Sequence, residues 1–138
     1  MTPAQSIILG AGLLLFVIGL LNGAVISKTK SARLSLSAHL TAVQSGTFLV
    51  AIAWAWPVFD MGPTLSVLVA YGLSGALYVL WAAFFLAGLW GAGHGLVIAG
   101  QGFETTAIRQ AIVTALLGVG VLGTLSASVV LLLQLLAR

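Results

Sequence analysis

The chain has 138 residues, 61% of them hydrophobic and 5% charged, with mean hydropathy +1.22. A soluble domain carries roughly 25% charged residues, so the composition excludes a water-soluble globular protein and indicates an integral membrane protein. The net charge of +3 comes from five basic and two acidic residues; scattered basic residues make no nucleic-acid surface, and the absence of cysteine removes disulfides and thiolate chemistry.

A membrane span needs about 20 apolar residues, because the hydrocarbon is ~30 Å thick and a helix rises ~1.5 Å per residue. The length allows four spans with short loops and no soluble domain, which predicts an all-α, four-transmembrane-helix bundle as one domain over residues 1–138. The first span covers residues 5–26. No basic n-region precedes it and no cleavage site follows, so it reads as a retained span and not a signal peptide. Lys28, Lys30 and Arg33 form a short basic loop, and the second span covers 35–56. Pro57, Asp60, Gly62 and Pro63 make the next turn before a third span over 64–90. The glycine-rich stretch GAGHGLVIAGQGFE leads to Thr105, and the fourth span covers 107–136.

Lys28, Lys30, Arg33 and Arg109 fall on one side of the membrane and Arg138 on the other. The positive-inside rule places the 28–33 loop in the cytoplasm and both termini outside, as expected for a multi-pass protein of a bacterial inner membrane. Glycine pairs such as Gly19 and Gly23, Gly72 and Gly75, and Gly120 and Gly123 predict close helix packing. The run LLGVGVLG superficially suggests a nucleotide loop, but it lies inside an apolar span with no strand before it. Trp54, Trp56 and Trp90 stand near span ends and read as interfacial anchors.

The second span has two unlike halves. SLSAHLTAVQSGT carries a histidine, a glutamine and several hydroxyls; FLVAIAWAW carries no polar group but the indoles. Lipid offers such groups no partner, so the polar half faces something else. No Asp, Glu or Lys lies within a span, which argues against an ion-coupled transporter. Residue counts put Asn22, His39 and Gln110 at similar depths, roughly 5–8 Å inside the boundary. Ala42, Val43, Gly46 and Val50 share the His39 face. A flat cofactor liganded by His39 would need the clearance that Ala42 and Gly46 give, and so would a neighbouring helix. On the third span Tyr71, Ser74, Tyr78, Trp81 and Phe85 form one stripe, which suits an aromatic ligand or ordinary helix packing. Gln44, Ser45 and Thr47 are candidate site groups or simple interhelical contacts.

The string SARLSLSAHLTAVQSGTFLVAIAWAWP, with LLLFVIGLLNGAVISKTKSAR before it and WGAG after the third span, resembles the hydroxylaminobenzene mutases along most of the chain. More distantly, the spacing from His39 to Pro57 is similar to that of styrene oxide isomerases, which are trimeric four-span enzymes holding haem b through one axial histidine. The resemblance implies an isomerase that turns a small aromatic hydroxylamine into an ortho-aminophenol without net redox change. It implies His39 as the haem ligand, with Ala42 and Gly46 beside the cofactor. Tyr78, Ser45 and Gln44 become the candidate catalytic groups, and Tyr71, Trp81 and Asn22 the substrate wall. A haem iron would act as the Lewis acid for the departing oxygen. Asparagines of the family pattern are replaced here by Ser45 and Leu80, which implies a weaker activity or a different substrate. Two other classes stay open: a membrane cytochrome, for which a symmetric interface would have to supply a second histidine, and a noncatalytic membrane subunit whose polar cluster serves assembly.

Overall fold

The structure, a computed structural model, describes residues 1–137; Arg138, the one basic residue assigned to the far side, lies outside the described residues. Four helices follow in order: α1 (Pro3–Val25), α2 (Ala32–Ala55), α3 (Pro63–Trp90) and α4 (Ala107–Leu136), and there are no strands among the described residues. All four are long and apolar enough to cross a membrane, and the chain is an all-α, multi-pass bundle.

The helix ends follow local chemistry and extend past the apolar runs. α1 starts at Pro3 because Thr2 and Gln5 form a reciprocal capping box and proline suits the first turn. Ser31 caps α2 by accepting from the Leu34 amide, so the helix begins three residues before the apolar run. α3 stops at Gly91, whose φ of +67° is the left-handed conformation that glycine adopts without a Cβ penalty. Thr106 caps α4 by accepting from the Arg109 amide. Short 3-10 turns, Ile26–Lys28 and Trp56–Val58, close α1 and α2.

α1, α2 and α3 pack on one another, whereas α4 leans on α3 and has little or no contact with the other two. Ile8, Leu15, Leu49, Leu73 and Leu77 form the core shared by the first three helices. The tightest seam joins α1 and α2. A Cβ placed on Gly46 would stand 2.6 Å from the Phe16 nitrogen, and one on Gly12 2.9 Å from the Gly46 carbonyl oxygen. The two backbones therefore touch, as small residues permit in a lipid environment where apolar burial alone drives little association. Trp56 is no interfacial anchor: it is 3% exposed, and its indole N–H donates to the Ser66 hydroxyl at 2.9 Å. Trp54, 81% exposed, keeps the outward position expected of an anchor.

At the end holding the 28–33 loop the two hairpins are tied together. The Lys30 ammonium donates to the Trp90 and Glu104 carbonyls, each at 3.2 Å, and Arg33 donates to the Gln101 carbonyl. The Ser31 amide donates to the Gly88 carbonyl at 3.1 Å. The guanidinium of Arg33 lies over Phe103 and that of Arg109 over Trp90, so the charges of Lys30, Arg33 and Arg109 meet carbonyls or aromatic faces.

Candidate active site

His39 stands on the α2 face turned toward α1 and is half-buried. Its Nδ1 lies 2.7 Å from the Gly19 carbonyl oxygen. A carbonyl only accepts, so in neutral imidazole Nδ1 carries the proton and Nε2 keeps the lone pair. The ring rests on Gly23, where an added Cβ would come within 2.9 Å of Nδ1. Gly19 and Gly23 thus do two things at once: they let α2 approach, and they fix the imidazole's orientation and tautomer.

Asn22 occupies the neighbouring face of the same turn of α1. It is 4% exposed, and its Oδ1 accepts from the Trp81 indole N–H on α3 at 3.4 Å. Its Nδ2 is buried and has no partner among the described residues. Trp81 stacks on Phe85 with centroids 5.4 Å apart and planes 22° apart. Together with Ile18, Leu21 and Val25 these residues line a cleft of about 270 Å³ between α1 and α3. His39, Asn22 and Trp81 therefore gather at one level of the bundle, around the last turns of α1.

Other residues singled out by the sequence stand elsewhere. The Tyr78 hydroxyl donates to the Ala11 carbonyl at 2.9 Å. Ala11 lies eight residues before Gly19, or ~12 Å along α1, so that hydroxyl is engaged well away from the imidazole. Tyr71 is 62% exposed on the outer surface of α3, and Gln44 is exposed on the outer side of α2. Ser45 is buried within the bundle. Ala42 and Gly46 pack against α1: Ala42 meets Gly19 and Gly46 meets Phe16, so the clearance on the His39 face is taken by a helix. Gln110 does not join the polar cluster; its Oε1 accepts from the His94 amide and holds the α3–α4 loop.

Among the described residues no three His, Cys, Asp or Glu side chains come together to hold a bare metal ion. A cofactor that brings its own equatorial ligands asks the protein for one axial donor, and a neutral imidazole with a carbonyl-bound Nδ1–H and a free Nε2 is a suitable one. The donor chemistry at His39 therefore suits an axial haem ligand, while the face carrying Ala42 and Gly46 is filled by α1 and leaves a macrocycle no room there.

The sequence puts His39, Asn22 and Gln110 at similar depths and Trp81 on the aromatic stripe of the third span; the structure brings His39, Asn22 and Trp81 to one level and leaves Gln110 out. Sequence reasoning missed that Gly19 supplies the carbonyl for His39 and that Trp81 binds Asn22. The glycine spacing on α1 was the available signal for the first; nothing in the sequence signalled the second.

The styrene oxide isomerase family profile matches residues 4–136. The chain is 35% identical to hydroxylaminobenzene mutase HabB of Ectopseudomonas oleovorans over 113 residues, 80% of this chain and 68% of that protein. It is 29% identical to hydroxylaminobenzene mutase HabA of the same organism over 133 residues, 96% of this chain and 98% of that protein. No solved structure matches the chain.

Proposed function

The chain belongs to the styrene oxide isomerase family, and from that premise we propose that this membrane isomerase rearranges hydroxylaminobenzene to 2-aminophenol. The reaction balances without a second substrate: the N–O bond breaks, a ring C–O bond forms at the ortho carbon, and that carbon's proton is replaced by one on nitrogen. The observation that carries the reading is the imidazole of His39, oriented by the Gly19 carbonyl at the level where Asn22 and Trp81 meet. No ionised side chain lines the cleft there, which suits a neutral aromatic substrate dissolved in the bilayer.

His39 is the residue that would hold haem b, through Nε2. When bound there, haem iron supplies a Lewis acid for the oxygen that leaves nitrogen. The chain's own part is to fix the imidazole through Gly19, to exclude water with the apolar surroundings of the cleft, and to orient the ring against Trp81. We further propose a homotrimer. Exposed Gln44 on the outer side of α2, in a segment surrounded by lipid, calls for a polar partner from a second copy, whereas the Thr47 hydroxyl beside it is already bonded to the Val43 carbonyl; the number three comes from the family resemblance. The 28–33 loop faces the cytoplasm of a bacterial inner membrane by its basic excess, and a reporter fused to the C-terminus should be active only in the periplasm.

The test is direct. Membranes containing the chain, supplied with hydroxylaminobenzene and no NAD(P)H, reductant or oxygen, should form 2-aminophenol by chromatography. Unchanged substrate with folded, haem-replete protein rejects the mutase reading. The family match then favours an aryl epoxide as substrate, since opening its C–O bond asks for the same help at oxygen.

A further inference from the structure

We propose that the cleft between α1 and α3 is the subsite that takes the aromatic substrate from the lipid, with the Asn22 amide N–H as donor to the substrate's oxygen. The ligand class is a neutral single-ring arene bearing one oxygen acceptor. This inference rests on the isomerase reading above and extends it to a place and a polar contact.

The unpartnered donor comes first. Three buried side-chain atoms lack a partner among the described residues: Asn22 Nδ2, Ser74 Oγ and Thr124 Oγ1. The two hydroxyls need only rotate onto a carbonyl of the preceding helical turn. The amide has no such escape. An indole N–H only donates, so Trp81 must face Oδ1 and not Nδ2; a flipped amide would set donor against donor. Nδ2 is thus held as a free donor in a region where no water relieves it.

The cleft matches a small ring. An apolar cavity of ~150 Å³ accepts benzene, and this one measures about 270 Å³. The stacked pair Trp81 and Phe85 supplies flat apolar surface. Leu21 is 66% and Val25 37% exposed at its edge, so it opens sideways to lipid, where such a substrate accumulates. Asn22 immediately precedes Gly23, on which the His39 ring rests, so the cleft and the imidazole flank one turn of α1. Nδ2 itself is covered, so a ligand reaches it only as the amide or the indole turns. The 3.4 Å bond between them is at the long end for N–H···O and yields readily. Binding therefore changes the surroundings of Trp81.

The experiment titrates the full chain in nanodiscs with acetophenone and with ethylbenzene, a ring of similar shape without the oxygen. Tryptophan emission is followed, with Trp81→Phe identifying the responding indole and protein-free nanodiscs correcting for partition. Acetophenone should bind about three- to tenfold more tightly, the range of one net hydrogen bond. Asn22→Leu should erase that preference and keep ethylbenzene binding. Ile18→Phe, which leaves Asn22 in place and fills the cleft, should abolish saturable binding of both, and decides the matter if Asn22→Leu fails to fold. An unchanged preference in Asn22→Leu, or binding untouched by Ile18→Phe, overturns the assignment. If the wild type leaves hydroxylaminobenzene unchanged yet keeps the Asn22-dependent preference, the isomerase reading falls and the cleft stands. If the wild type isomerises it and Asn22→Leu matches its KM, kcat and probe preference, the cleft falls and the reading stands.

Discussion

The Nδ1 of His39 and the carbonyl oxygen of Gly19, 2.7 Å apart, join the first third of α2 to the last turns of α1 and leave Nε2 with the lone pair. Gly23 forms the floor beneath the same ring, 2.9 Å from Nδ1 by the position of an added Cβ. A side chain there has to push the imidazole off its carbonyl. Purified wild-type protein is expected to show a Soret band, and His39→Ala to lose it. Gly23→Val should keep the histidine yet bind much less haem, read as a lower Soret-to-protein absorbance ratio. Full haem content in His39→Ala would remove His39 as the ligand.

Gly46 tests the seam between α1 and α2. Its Cβ position lies 2.6 Å from a backbone nitrogen of Phe16, and a backbone cannot rotate aside. Gly46→Val should destabilise the bundle by about 1–3 kcal/mol, the usual cost of overpacking. A lower Tm in detergent reports it. Gly72, with open space at its Cβ position, serves as the control: Gly72→Ala should leave Tm near the wild-type value.

Lys30 tests the tie between the two loops. Its ammonium reaches the Trp90 and Glu104 carbonyls, which no neutral side chain of that length can replace. Lys30→Met should loosen residues 91–106 by about 1 kcal/mol, the scale of a net hydrogen bond, while the helices remain formed. Faster hydrogen exchange confined to that loop, with unchanged circular dichroism, is the expected pattern.

Ser45 and Leu80 separate by position. A Cβ on Gly120 would meet Leu80 atoms within 2.9 Å, so Leu80 faces α4, away from the His39 helix. Leu80→Asn should lower stability without raising the isomerisation rate. Ser45 is 8% exposed inside the bundle, and Ser45→Asn is the substitution expected to alter kcat. Equal rate gains from both would show that α4 contributes to the reaction site.

The bundle's legibility in the sequence follows the range of the forces involved. Hydrophobic runs and caps are local, so the four helices and most of their ends could be read from residues 3–136. Depth is also local, because each residue counts ~1.5 Å from a boundary; that placed His39 and Asn22 at one level. Azimuth is not local. Tyr71 and Tyr78 share a stripe by spacing, yet one faces outward and the other is bonded to α1, because α3 must serve three neighbours. Gln110 has the right depth and the wrong neighbour: α4 leans mainly on α3, and the amide is taken by the adjoining loop. Gly46 illustrates the ambiguity of small residues, since a gap for a cofactor and a gap for a helix look the same in sequence.

The clasp formed by Lys30 and Arg33 also bears on the order in which the protein is made. The glycine seam belongs wholly to the first two helices, so that hairpin can close as soon as it leaves the ribosome. Lys30 and Arg33 then have no carbonyls to bind until Trp90, Gln101 and Glu104 have been synthesised. The second hairpin is consequently latched onto a finished first one, and the capture comes late, when the loop between α3 and α4 reaches the membrane surface. A ribosome stalled before residue 101 should leave the Lys30–Arg33 loop open to cleavage, and release of the full chain should protect it.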